Sequence, residues 1–470
     1  MDTSIVATAL PTIVGEFNQT ENISWVIAGY TLAVAVMVPV YGKLADKYGS
    51  SRLIVGILVL FLGASVLCGL APNLETLTVG RVLQGFGGGG LGVLPFTVLS
   101  TILPERSRPK YMAPMSAVWA VAAIGGPVLG GILTDTVGWR WIFFINLPLG
   151  ALAWLLASRA LPHQQQLHHN KLFNWHTWVL FAVASTLTVF STHGIIATAG
   201  RDVSPETLFM VSLAVLAIGL FIWRSIVSSD PVIPVRILSN RGALTVLVIG
   251  TLSATNLFAI TNYVPTLLQM GFDVPATLAG LGLLPMVLGM VVTSIIMSRW
   301  VSKTGRWHHL PPIGTAIAAL SMFSNFLFAP MLGPWFIVLT MGVSAIGVGL
   351  YGMLNLTLVQ AFSKAKVYGA VTATVNVSRD LTGTIVATIA GGVFGFGVVN
   401  ALTKVQLPQP LTAASISPAD LALLDAATKS QVQQAYIGAF QPVFLNSTIA
   451  FVVVFVLAWT LPKLDLKSSH

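Results

Sequence analysis

Charge is scarce in this sequence. Asp, Glu, Lys and Arg supply 8% of its 470 residues, and 55% are hydrophobic, for a mean hydropathy of +0.84. A soluble domain carries about 25% charged residues. No soluble core of this length could hide so much apolar surface and leave so little charge to wet its exterior. Cysteine is scarcer still: Cys68 stands alone, inside an apolar run. That excludes a disulfide framework and a cysteine-based metal site, and Cys68 reads as a small buried apolar residue. Several functional signatures are also missing. The run 87–90 is all glycine, but it lacks the G-K-[ST] of a phosphate loop and lies in a hydrophobic stretch. A nucleotide-driven pump is therefore disfavoured. No nucleophile–base set or soluble catalytic domain supports a membrane enzyme or a sensor. His163, His168 and His169 fall in the polar segment 160–174, which reads as a solvated linker rather than a metal site. The short alternating segments of a membrane β-barrel are absent too.

What recurs instead is the long apolar stretch, of a length that spans a hydrocarbon core, roughly 17–25 residues. Lipid forces backbone groups to pair internally, so such stretches must be helices. The spans run 3–17, 24–42, 53–71, 76–100, 111–134, 140–159, 175–195, 205–227, 242–270, 277–299, 310–329, 334–360, 368–399 and 440–461. The net charge of +9 follows this pattern. Eighteen of the 24 Lys and Arg residues lie in alternate loops and the C-terminal tail, while Arg201, Lys404 and Lys429 are alone in the intervening loops. This positive-inside asymmetry places the rich loops in the cytoplasm. With fourteen spans, both termini are expected there. The basic balance therefore records topology in a bilayer and not a nucleic-acid partner.

The pattern predicts three regions. Residues 1–160 form a six-span bundle, 161–240 hold two inserted spans with linkers, and 241–470 form a second six-span bundle with an extracellular loop at 400–440. Within that loop residues 417–440 are expected to form a short amphipathic helix, with Ser417 as its N-cap and Pro418 at the first helical position, acting as a spacer rather than a lid. The first span is short for a crossing. The expectation is that the start lies inside a longer first helix, a re-entrant half-helix being the alternative. The segments GKLADKYGSSR after the second span and SRWVSKTGR after the tenth hint at an internal repeat of the kind transporters use.

Five segments carry more specific patterns. GKLADKYGSSR, at 42–52, resembles the hallmark loop of the major facilitator superfamily, G-x-L-a-D-r-x-G-r-r. LTVGRVLQGFGGGG, at 77–90, resembles that family's fourth-span motif. GGPVLGG, at 125–131, resembles its antiporter motif, with Ala122 where a leading glycine is usual. GWRWIFFINLPLG (138–150) and MDTSIVATALPTI (1–13) are similar to signatures of the fourteen-span drug:proton antiporter branch, the EmrB/QacA type. The resemblance spans nearly the whole chain. It implies an all-α polytopic membrane protein with the major facilitator fold, two six-helix bundles plus two inserted helices, the first helix truncated.

The resemblance implies a proton-coupled multidrug efflux antiporter, acting as a monomer on small lipophilic, cationic compounds and needing no cofactor beyond the proton gradient. A symporter or a lipid or metabolite transporter on the same fold is the alternative. The residues themselves carry part of this. Arg81 lies about 10 Å into its span by helical rise, where a charge is expensive and needs a polar partner or cavity. Gln84 is three residues on and shares its face. Asp2 occupies the acidic position of the first-span motif. Within the membrane, desolvation would raise its pKa and suit it to exchanging a proton. Arg379 and Asp380 sit inside the thirteenth span. Asp2, Arg81 and Asp380 are thus the candidates for proton coupling, with Gln84 and Arg379 as lesser candidates for the cavity. The resemblance makes Gly42, Asp46, Gly49 and Arg52 a cytoplasmic gate loop, Gly42 and Gly49 being expected at tight turns. It makes Gly126, Pro127, Gly130 and Gly131 a leak-proof bending interface, consistent with small residues that admit close helix approach and a proline that kinks. Trp25, Tyr30, Trp119, Phe258, Tyr263, Met270 and Met353 could line a pocket, and none is assigned singly.

Overall fold

The computed structural model describes residues 2–17, 23–102, 122, 125–160, 174–197, 204–228, 240–352, 355, 358–359, 368–405 and 416–461. Among these residues there is no strand. The helices are α1 (Asp2–Phe17), α2 (Ile23–Tyr48), α3 (Ser50–Gly69), α4 (Leu74–Ile102), α5 (125–136), α6 (Trp141–Phe144), α7 (Asn146–Ala160), α8 (Trp175–Ala197) and α9 (Pro205–Val227). They continue as α10 (Arg241–Phe272), α11 (Ala276–Leu281), α12 (Leu284–Thr304), α13 (Leu310–Leu332), α14 (Pro334–Gly349), α15 (Tyr368–Leu402), α16 (Pro418–Leu423) and α17 (Ala426–Trp459). Among the described residues, eight helical segments are long and apolar enough to cross a membrane, and 4–17, 25–41 and 334–349 are shorter apolar helices.

Local chemistry sets many of the ends. Ser204 accepts from Thr207 N–H at 3.2 Å, with Pro205 in the first turn of α9. Asn240 Oδ1 accepts from the N–H groups of Gly242 and Ala243 at 2.9 and 3.3 Å to start α10. Both side chains satisfy donors that a helix start leaves open. At the other end of α10, Asp273 turns into the left-handed region at φ 57°.

The chain divides into two compact units, Ser24–Ala122 with Thr136–Ile233, and Met1–Ile23 with Ala123–Asp135 and Pro234–His470. In the first, α3 packs on α4 and α7, and α8 on α9. Trp178 of α8 donates its indole N–H to the Val36 carbonyl of α2 at 2.9 Å, fastening α8 to α2. In the second unit α10, α15 and α17 pack mutually, while α13 lies against α14 and α17. Tyr263, Phe394, Phe440 and Phe444 form an aromatic seam through it, with ring centroids 4.9–6.3 Å apart. Trp25 packs against Phe190 with rings tilted 44° in the first unit, and Tyr263 donates to the Ala387 carbonyl at 3.1 Å in the second.

Three sequence expectations change. The last span does not begin near 440. The expected amphipathic helix stops at Leu423, Asp425 caps a new helix by accepting from Ala427 and Thr428 N–H at 3.1 Å, and α17 then runs unbroken to Trp459. The polar first half of α17 hid this from a hydropathy reading. The tenth span is broken into α11 and α12 at Gly282–Leu283, just ahead of Pro285. Gly42 is not at a turn: α2 continues through it to Tyr48, and Gly49 alone makes the corner, at φ 82° and ψ 134°.

Candidate functional site

The first polar cluster is built on α4. This helix places Arg81 and Gln84 one turn apart on one face, and both are fully buried. A guanidinium only donates, and its burial is costly unless those donors are met. Arg81 Nη1 donates to Gln84 Oε1 at 2.6 Å, and Nε donates to the Val26 carbonyl of α2 at 3.2 Å. The Tyr30 ring lies 4.1 Å from the guanidinium carbon and the Phe143 ring 6.0 Å away, within cation–π range. Two glycines make this approach of α2 to α4 possible. A Cβ at Gly85 would meet the Tyr30 carbonyl oxygen at 2.5 Å, and one at Gly88 would meet the Tyr30 hydroxyl at 2.5 Å. Gln84 in turn donates from Nε2 to Ser65 Oγ of α3 at 2.9 Å. Ser65 donates to the Phe61 carbonyl at 2.9 Å and accepts from Asn146 Nδ2 of α7 at 3.4 Å. Cys68 adds a thiol donor 3.8 Å from Gln84 Oε1. Four spans thus converge on one buried cation.

The second cluster lies in the other unit, where α1 packs on α10 and α11 and α5 meets α1 and α11. A Cβ at Gly130 would collide with the Thr8 hydroxyl and the Ile5 carbonyl of α1, and one at Gly131 would meet the Ala276 carbonyl oxygen at 2.5 Å. From the opposite side, a Cβ at Gly280 would collide with the Pro127 carbonyl. Gln269 Nε2 of α10 donates to the Thr8 carbonyl at 2.9 Å. At the end of α5, Asp135 Oδ2 accepts from the Thr277 N–H at 2.8 Å and from its hydroxyl at 2.6 Å.

A family model for the Major Facilitator Superfamily matches residues 1–387. The chain belongs to the Major Facilitator Superfamily. An uncharacterized MFS-type transporter of Mycobacterium tuberculosis is 30% identical over 99% of this chain and 68% of its own length. The multidrug transporter protein MdtP of Bacillus subtilis is 30% identical over 87% of this chain and 75% of its own. The crystal structure of a bacterial homolog of the human lysosomal transporter Spinster superposes with a TM-score of 0.65 at 14% identity, over 99% of this chain and 94% of that one. That likeness shows the fold. This major facilitator protein is accordingly a multi-pass membrane transporter and not an enzyme.

The fold brings some of the sequence candidates together and leaves others apart. Arg81 and Gln84 are bonded to each other. Gly126, Pro127, Gly130 and Gly131 are all buried, the last two against α1 and α11. Asp2 is partly buried in the first turn of α1. Gly49 makes the α2–α3 corner and Arg52 is exposed in the first turn of α3. Gly42 and Asp46 lie in α2, but their side-chain surroundings fall outside the described residues, as does the side chain of Asp380. Arg379 is exposed on α15. Trp119, Met353 and the three linker histidines also lie outside the described residues. Among the described residues no group of three metal-ligating side chains occurs.

Several participants were not singled out from sequence. Ser65 is a lone hydroxyl in an apolar run, with no periodic signal to mark it. Asn146 lies inside the 138–150 signature, which by itself gives its side chain no separate role. Thr277 and Asp135 are 142 positions apart and carry no local pattern that would pair them.

Proposed function

We propose that this protein is a proton-coupled multidrug antiporter of the fourteen-span branch. It exports lipophilic, cationic compounds across the cell membrane by alternating access. The observation that carries this reading is Arg81: a permanent cation, fully buried in the fourth-span motif and held by an amide, a carbonyl and a ring. A fixed cation at that depth biases the charge state of any carboxylate that approaches it. Loading such a carboxylate with a proton and binding a cationic compound then become competing events, which is the requirement for exchange. Asp2 and Asp380 are the carboxylates proposed for that role. The Bacillus subtilis relative MdtP is named a multidrug transporter, which supports the same reading.

The remaining parts follow. Gly42, Asp46, Gly49 and Arg52 form the inner gate corner between α2 and α3. Gly126, Pro127, Gly130 and Gly131 form the tight, water-excluding contact. Gln84 orients Arg81, and Arg379 faces the substrate path. The proton gradient is the energy source, no cofactor is required, the working form is a monomer, and both termini face the cytoplasm by the Lys/Arg asymmetry. In everted vesicles, a lipophilic cation such as tetraphenylphosphonium should accumulate under a pH gradient, and Arg81→Ala or Asp2→Asn should abolish this. Accumulation that persists unchanged with a protonophore present would sink the reading.

A further inference from the structure

We infer that Ser65, backed by Asn146, is a positioning residue that fixes which end of the Gln84 amide faces Arg81, and so sets the coupling behaviour of that arginine. The inference rests on the reading of Arg81 as the coupling cation, but its geometric half stands independently.

The argument is one of donors and acceptors. Arg81 has no lone pair to offer, so Gln84 must present Oε1 to it, and does so at 2.6 Å. Gln84 Nε2 then needs an acceptor in an interior where an unmet amide N–H is costly. Ser65 Oγ supplies it at 2.9 Å. A hydroxyl could equally donate, and a donating Ser65 would favour the reversed amide. Two neighbours remove that option. The Ser65 proton is committed to the Phe61 carbonyl at 2.9 Å, and Asn146 Nδ2 approaches the same oxygen from α7 at 3.4 Å. Ser65 is thereby held as an acceptor, with one proton given and two received. The polarity of the relay runs one way, from Asn146 and Gln84 onto Ser65, and from Arg81 onto Gln84. Without Ser65, the amide is free to turn and offer N–H groups to a cation that can only donate. Arg81 would then release Gln84 and seek another acceptor, changing its field on any titrating carboxylate.

Cys68 gives a readout that does not depend on transport. Its thiol lies 3.8 Å from Gln84 Oε1 and 4.0 Å from the Leu77 carbonyl. It is the only cysteine in the chain, so its S–H infrared band belongs to one site. If the amide turns, the thiol loses the Oε1 acceptor and the band moves.

The test uses the full chain in proteoliposomes, with tetraphenylphosphonium as the probe. In Ser65→Ala, the S–H band should shift and pH-gradient-driven accumulation should fall about tenfold, in line with loss of a buried polar partner. Downhill equilibration without a gradient should stay within about twofold of the parent, because the pathway itself is intact. Asn146→Leu, at the far end of the relay and away from the packed serine, should move both readouts in the same direction by less. Ser65→Thr, which keeps the hydroxyl, should restore them. A Ser65→Ala protein with an unmoved band and unmoved accumulation overturns the inference. So does an equal fall in driven and downhill transport with a lowered melting temperature, since that marks a merely structural role. If the parent protein accumulates nothing under a gradient while the band still shifts in the variants, the positioning stands and the proton-coupling reading fails.

Discussion

Asp135 holds Thr277 twice through one oxygen: Oδ2 accepts from the backbone N–H at 2.8 Å and from the hydroxyl at 2.6 Å. Thr277 is in the first turn of α11, where the N–H groups have no partner within the helix. A carboxylate from α5 therefore caps a helix that its own chain leaves uncapped, for Pro275 precedes α11 and makes no side-chain cap. Loss of such a cap costs about 1 kcal/mol. Asp135→Ala should speed hydrogen exchange of the 277–279 amides by roughly fivefold, the factor that about 1 kcal/mol corresponds to. Thr277→Val keeps the backbone contact and loses the hydroxyl, so its exchange should rise less. Unchanged exchange in both would mean the contact contributes nothing to the α5–α11 junction.

The neighbouring glycines give a prediction of opposite signs on one helix. Gly131 has backbone where a Cβ would go, at 2.5 Å from the Ala276 carbonyl oxygen, whereas nothing lies within 4 Å of a Cβ at Gly125. Backbone cannot swing aside as a side chain can, so Gly131→Ala must push α5 and α11 apart, at a cost of about 1–3 kcal/mol. Gly125→Ala meets no neighbour and gains helix propensity of about 1 kcal/mol. Melting in detergent should fall for Gly131→Ala and hold or rise for Gly125→Ala. Equal falls would show that the glycines serve helix flexibility rather than close approach.

These contacts mark where the sequence was legible and where it was not. The span 205–227 coincides with α9 because its apolar run is bracketed by Ser204-Pro205 and Ser228, polar ends that water and the cap both favour. Arg81 and Gln84 were legible because a charge and an amide one turn apart stand out in an apolar helix. The start of α17 was not, since the turns carrying Lys429, Gln431 and Gln433 continue the amphipathic pattern that opens at Ser417, and nothing local marks Asp425 as a second cap. Nor was Ser65. A hydroxyl in a membrane helix usually bonds its own preceding turn, as Ser65 does to Phe61, and nothing local reveals that it also receives Gln84. The small-residue run at 125–131 marks a packing face, but the partners of Gly130 and Gly131, Ile5 and Thr8 on one side and Ala276 on the other, lie far away in sequence.

Asp425 supplies a pH dependence whose sign can be worked out. Hydrogen bonds from the Thr428 side chain and backbone, and from Ala427 N–H, hold its carboxyl below its ordinary value of 3.8. A depressed carboxylate pKa means the folded state favours the ionised form. Its contribution is complete above the unfolded pKa and is lost as the pH falls through the folded one. The first turn of α17 should therefore fray only in strong acid. Asp425→Asn caps without a charge, so its 427–429 amides should keep their protection over the same acid range where the parent loses it. Matching losses in both proteins would assign the fraying to other groups.

The last prediction separates charge from geometry at Arg81. Lysine carries the same charge but no planar fork, so it cannot serve Gln84 Oε1 and the Val26 carbonyl from two nitrogens at once. If only the charge matters, Arg81→Lys should transport like the parent. The two contacts lie on different helices, α4 and α2, and the fork bridges them across the Tyr30 ring at 4.1 Å. Arg81→Lys must therefore abandon at least one, at a cost of about 1.5–3 kcal/mol for a hydrogen bond to a charged group. Gradient-driven uptake should fall by roughly 10- to 150-fold, that same energy expressed as a rate. Tyr30→Leu keeps the fork and removes only the ring, worth about 0.5–2 kcal/mol, so its loss should be smaller. A Tyr30→Leu protein as impaired as Arg81→Lys would place the ring, and not the fork, at the centre of the site.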